Sequence, residues 1–133
     1  MAATAAFASI PKVGAVTISA ANTARDGTGT LGTVFTAGTS GSRIDTIQIN
    51  AQGTTTAGAV RLFIHDGTTA RFIAEAQVGA ITASATQTPF NATLSAALGQ
   101  SWLPLVLQTG YSLRASTNNA ESFNVQTVLS GDF

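Results

Sequence analysis

Val60-Arg61-Leu62-Phe63-Ile64-His65-Asp66-Gly67-Thr68-Thr69-Ala70-Arg71-Phe72-Ile73-Ala74-Glu75-Ala76-Gln77-Val78 is the stretch whose reading decides the fold class. Val60, Leu62 and Ile64 alternate with Arg61, Phe63 and His65, the period of a strand with one face turned to a core. After Asp66-Gly67-Thr68-Thr69 the alternation resumes, with Phe72, Ala74, Ala76 and Val78 sharing a face. An Asp-Gly pair between two such runs signals a hairpin, because glycine accepts the positive φ of a tight turn. The pattern predicts a core face built from Val60, Leu62, Ile64, Phe72, Ala74 and Val78.

The same period recurs on both sides of the hairpin, over 13–20, 32–37, 43–51, 88–96, 103–108, 111–116 and 122–129. In the last run Phe123, Val125, Thr127 and Leu129 fall on one face and Asn124, Gln126 and Val128 on the other. Turn clusters such as Asp26-Gly27-Thr28-Gly29 and Asn118-Asn119 separate the runs. Short strands at this spacing, with helical periodicity almost absent, predict an all-β antiparallel sandwich. A jelly roll is the preferred version, since the strand number suits two four-stranded sheets. An immunoglobulin-like sandwich is the alternative. With 133 residues, the chain suits one sandwich domain over 13–133, preceded by an extended arm over 1–12 that shows no alternation.

Composition narrows the function. Only 9% of residues are charged, against roughly 25% in an ordinary soluble protein, so Thr, Ser, Asn, Gln and Gly must wet the surface. Such a surface suits a protein partly covered by neighbours. The formal net charge is zero, and Lys12, Arg25, Arg43, Arg61, Arg71 and Arg114 are scattered singly, which argues against nucleic acid as a partner. No apolar run approaches the ~18 residues of a membrane-spanning helix. The Ala-rich start lacks the basic n-region and continuous apolar stretch of a secretion signal, so synthesis in the cytoplasm is the expectation.

Candidate chemistry is sparse. With no cysteine, thiolate metal sites, disulfides and cysteine nucleophiles are excluded. His65 is the single histidine, and its neighbour Asp66 points to the opposite strand face, so adjacency makes no relay. Asp26-Gly27-Thr28-Gly29-Thr30 offers one carboxylate where a calcium loop needs several at fixed spacing, and it lacks the Lys-Ser/Thr ending of a phosphate loop. The expectation is therefore no catalytic residue, no cofactor and no metal. Residues singled out for partner contact are Phe7, Ile10 and Pro11 in the arm, Trp102 near a sheet edge, and Phe133 at the C-terminus. Pro11 favours an extended Ile10, so the arm reads as a strap rather than a helix.

Two segments carry a resemblance: Gly58-Ala59-Val60-Arg61-Leu62-Phe63-Ile64-His65-Asp66-Gly67-Thr68-Thr69, and Gly110-Tyr111-Ser112-Leu113-Arg114-Ala115-Ser116-Thr117-Asn118-Asn119-Ala120-Glu121-Ser122-Phe123-Asn124-Val125. They resemble small virion proteins of tailed bacteriophages, of the β-sandwich capsid decoration (cement) type. The likeness spans roughly the C-terminal half and rests on pattern rather than on a catalytic signature. It implies a structural protein on the capsid surface that clamps the major capsid protein, as a homo-oligomer with a trimer favoured. A receptor- or glycan-binding module of a tail fibre or spike is the alternative, with Trp102 or Tyr111 as a stacking platform. A shell-forming coat protein fits the length but not the scattered basic residues.

Overall fold

The computed structural model describes residues 9–133. Its elements are β1 (Ile10–Pro11), β2 (Ala15–Ile18), β3 (Gly32–Thr36), β4 (Ser42–Ala51), β5 (Gly58–His65), β6 (Ala70–Val78) and β7 (Asn91–Ser95), then one 3-10 turn (Ala96–Leu98), β8 (Leu105–Leu107), β9 (Ser112–Thr117) and β10 (Phe123–Asp132). The expected strands are all present, most trimmed at their ends. The last runs three residues further than alternation suggested, and β1 adds a short strand before them.

All ladders are antiparallel and form two sheets. In the first, β10 and β4 lie at the centre; β1 and β2 share the outer edge of β10, and β7 and β8 share the outer edge of β4. The second has the order β3-β9-β5-β6. Along the chain the pairs are nested: β5 with β6 innermost, then β4 with β7 and β8, β3 with β9, and β2 with β10. Successive pairs alternate between the sheets, which is the double Greek-key winding of a jelly roll and not that of an immunoglobulin sandwich.

The core lies between the sheets. Ile44, Ile47, Ile49, Phe123 and Val125 from the first meet Phe35, Val60, Leu62, Leu113 and Ala115 from the second. On either side of Asp45 and Thr46 every second residue of β4 is turned inward, Ser42 and Ile44 before them and Ile47, Ile49 and Ala51 after, so period two marks burial within each half of the strand.

Three bulges decide what the outer surfaces carry. On β10, Val128 is an extra residue between the pairs Thr127↔Ile47 and Leu129↔Thr46. The phase slips there, and Leu129 is 50% exposed instead of lying in the core with Phe123 and Val125. Asp45 is a compensating extra residue on β4, and it restores Ser130 to the inner face. On β6, Ile73 is the extra residue between Leu62↔Ala74 and Phe63↔Phe72. Phe72 is thereby turned to the outer face, and Ile73 packs against the core in its place. Alternation put Phe72 in the core and Leu129 on one face with Phe123 and Val125; the bulges correct both.

Phe63 is fully buried although it lies on the outer face of the second sheet. The segment 21–31, between β2 and β3, crosses that face. It is fixed by a parallel bridge from Ala21 to Thr117, by the Asn22 amide donating to Thr28 O and Thr30 O, and by the Arg25–Glu75 ion pair. Beneath it Arg61 is 4% exposed, donating to Asn22 O and Asn118 Oδ1 and lying 3.4 Å from Glu75 Oε2. Gly27 has φ +87°, and a Cβ there would lie 2.3 Å from Ala70 O, so only glycine lets the segment lie this close.

Candidate functional site

Two surfaces concentrate the features that recognition requires, one on the outside of each sheet. On the first sheet, cross-strand register sets the residues in rows. Ala15, Gln126, Gln48 and Thr93 form one row, and Thr17, Asn124, Asn50 and Asn91 the next. The two rows interlock. Thr17 Oγ1 donates to Asn124 Oδ1 at 2.7 Å, Gln52 Nε2 to the same oxygen at 2.9 Å, and Gln48 Nε2 to Asn50 Oδ1 at 3.0 Å, while Thr93 Oγ1 donates to Gln48 Oε1. This half of the face is an amide and hydroxyl ladder with no charged member.

The other half is apolar. The β10 bulge turns Val128 and Leu129 outward together, 48% and 50% exposed, and Val106 on β8 is 63% exposed. Leu129 borders a shallow pit of about 240 Å³ shared with Thr46, Ala96, Ala97 and Pro104. Arg43 and Asp45 sit in this half, and their ion pair, Nε to Oδ1 at 2.7 Å, cancels the charge locally.

Three of the residues singled out from sequence meet at one corner of the same sheet. Ile10 pairs with Asp132 and Pro11 with Gly131, and Phe133 follows directly, its backbone N–H donating to Gly41 O. Lys12 anchors the strand behind them: its ammonium donates to Thr36 O at 2.6 Å, lies 3.5 Å from Asp132 Oδ1 and sits over the Phe35 ring. Ile10 and Phe133 remain exposed. Trp102 stands apart, before β8 on the opposite edge; it is half-buried, packs on the core, and its Nε1–H donates to Gln100 Oε1. Tyr111 is likewise half-buried against the core. Phe7 lies outside the described residues.

The second surface is a cleft of about 360 Å³ where the covering segment meets the β5–β6 hairpin tip. Asp26, Gly27, Thr28, Gly29 and Leu31 form one wall; His65, Thr68, Thr69, Ala70 and Arg114 form the other. Each wall is held by an aspartate-centred turn. Asp26 Oδ1 accepts from Thr28 N and Thr28 Oγ1, and these bonds hold its carboxyl below the usual value. Asp66 Oδ1 accepts from the backbone N–H groups of Thr69 and Thr68 while Oδ2 accepts from Arg71; the Thr69 bond, the Arg71 bond and then the Thr68 bond hold that carboxyl far below its ordinary range. His65 Nδ1 accepts from Gly67 N–H, which fixes its proton on Nε2.

His65 and Asp66 are each engaged with the turn backbone, His65 with Gly67 N–H and Asp66 with the N–H groups of Thr68 and Thr69. Among the described residues no three His, Cys, Asp or Glu side chains gather as a metal-binding group, and no helix is long and apolar enough to cross a membrane. Sequence reasoning missed Val106, Val128, Leu129 and Arg114. The first three were placed by bulges and edge pairing, the last by two loops far apart in the chain. Comparison with family models, with curated proteins and with solved structures finds no match.

Proposed function

We propose that this chain is a structural virion protein of the capsid-decorating kind, attached to the major capsid protein shell through the outer face of its first sheet. The observation that carries the reading is the charge-free ladder of Gln48, Asn50, Asn124, Gln126, Thr17 and Thr93, continuous with the apolar half at Val106, Val128 and Leu129. An exposed face ordinarily carries Lys and Glu, whereas the centre of an interface is depleted of charge. Amide and hydroxyl groups can trade water for hydrogen bonds to a neighbour at little desolvation cost, and the apolar half supplies the driving force. The sequence resemblance points to the same role.

Burying the remaining surface of Val106, Val128 and Leu129 is worth about 1 kcal/mol each, since each is about half-exposed and full burial is worth roughly 1.5–3. That is too little for one tight contact after the cost of association. The corner of Ile10, Pro11 and Phe133 adds a second point of attachment, and a homo-oligomer, with a trimer favoured, multiplies both through effective concentration. Mixing the purified chain with undecorated shells and counting sedimented copies tests the proposal. Saturable binding that Leu129→Asp abolishes without lowering the melting temperature supports it; no saturable binding overturns it.

A further inference from the structure

The six basic side chains of the sequence are all among the described residues. Lys12, Arg25, Arg43, Arg61 and Arg71 each have a carboxylate within 4 Å. Arg114 has none. Its Nε donates to Ser112 Oγ at 3.2 Å, which uses one of the five N–H groups of the guanidinium. Arg114 is also half-buried, and it lines the larger of the two surface depressions described above. A half-buried guanidinium with its fork unengaged, in a concave site, is a receptor for a planar bidentate anion.

The rest of the lining selects the kind of anion. Asp26 lines the same cleft, so a dianion such as phosphate meets about twice the repulsion from its carboxylate that a monoanion does. The rim carries groups that pair with hydroxyls: Thr28 and Thr68, the Asp26 carboxylate as acceptor, and the His65 Nε2–H as donor. Leu31 supplies an apolar wall of the sort that the C–H face of a sugar ring covers. The volume, about 360 Å³, is at the small end for ligand sites and suits one ring rather than a chain. We propose that this cleft binds a sugar carboxylate, a pyranose bearing one carboxylate, with the carboxylate on Arg114 and the ring hydroxyls on Asp26, Thr68 and His65. The site lies on the second sheet, opposite the face assigned to attachment, and so would stay open in a bound copy.

Titrating the full chain with glucuronate while following backbone amide resonances tests this. Saturable shifts confined to Gly27, Gly29, Thr68 and their neighbours are expected, with N-acetylneuraminate as a second arm to tell a uronic acid from a larger sugar acid. Glucose and acetate, which keep only the ring or only the carboxylate, should bind at least about tenfold more weakly, the worth of one charge-assisted bond. Arg114→Gln should remove binding; Arg114→Lys, which keeps the charge and loses the fork, should weaken it several-fold and guards against a failure of the first variant to fold. Shifts elsewhere, no shift with either acid at concentrations on the order of 50 mM (a binding free energy weaker than about −2 kcal/mol), glucose or acetate binding as well as glucuronate, or unchanged binding in Arg114→Gln would each overturn the proposal.

Discussion

Glu75→Gln should destabilise this protein more than Arg61→Met, although the second change removes the larger group. Arg61 is 4% exposed beneath the covering segment, and Glu75 Oε2 lies 3.4 Å from its Nε. At an effective dielectric constant of about 20 that separation is worth about 5 kcal/mol of attraction, largely offset by the several kcal/mol each ion loses on leaving water. Glutamine keeps the shape but withdraws the charge, and the guanidinium is left buried among neutral acceptors alone, Asn22 O and Asn118 Oδ1 with the new amide oxygen. Removing one partner of such a pair costs about 3–5 kcal/mol; the two surviving acceptors place this case near 3. Methionine in place of Arg61 removes the buried charge altogether and fills most of its volume. Glu75 then keeps Arg25, whose guanidinium it already binds at 2.9 Å, and the cost falls to about 1 kcal/mol for the bonds lost at Asn22 and Asn118. The double variant should cost no more than Arg61→Met alone. Urea unfolding followed by Trp102 fluorescence measures all three. If Glu75→Gln costs under about 1 kcal/mol while Arg61→Met costs over 3, the carboxylate is not what makes burial of Arg61 tolerable.

Leu62→Ala should cost about 3–5 kcal/mol in the same assay, because its cross-strand neighbours Ala74 and Ala115 are too short to fill the cavity, whereas Leu129→Ala should cost under about 1. Equal costs would disprove the β10 bulge. Gly27→Ala forces a side chain into φ +87° against Ala70 O, and a loss of about 1–3 kcal/mol with faster amide exchange over 21–31 is expected; unchanged exchange would mean that the segment does not lie on the sheet. Asp66 has its carboxyl depressed on folding by the Thr69 N–H, Arg71 and the Thr68 N–H. Its stabilising contribution is therefore complete above the unfolded value, near pH 4, and is lost as pH falls toward the folded one. Asp66→Asn keeps the turn acceptor without the charge, so its melting temperature should fall less than the wild type's between pH 4 and 2; parallel curves would refute the assignment.

What was legible in the sequence is what period two encodes. The β5–β6 hairpin could be read from its alternation and its Asp-Gly turn, and the β4 run from the same rule, although the bulge at Asp45 sets Ile44 out of phase with Ile47 and Ile49. Leu129 and Phe72 were misplaced because a bulge inserts one residue without any compositional mark, and every later side chain then changes face. The ladder could be half-seen in Asn124 and Gln126, but its partners on β2, β4 and β7 depend on register between strands far apart in sequence. The cleft was invisible for a related reason: His65 and Arg114 look ordinary until the irregular segment 21–31 is laid over them, and no periodicity describes that segment.

The nested pairing also orders events in time. Among the described residues only the β5–β6 hairpin pairs consecutive strands; Thr17 and Asn124, which meet across β2 and β10, are 107 residues apart. Closing so long a loop first would cost the most chain entropy, but once each inner pair is zipped the next has only its two flanking linkers left to close. The hairpin is thus the natural nucleus, β4 with β7 follows, and the β2–β10 seam closes last. Such reliance on distant pairing places folding in the millisecond-to-second range. Until that seam closes, β10 is an unpaired apolar edge, so the time it spends open sets how readily newly made chains stick to one another instead of folding.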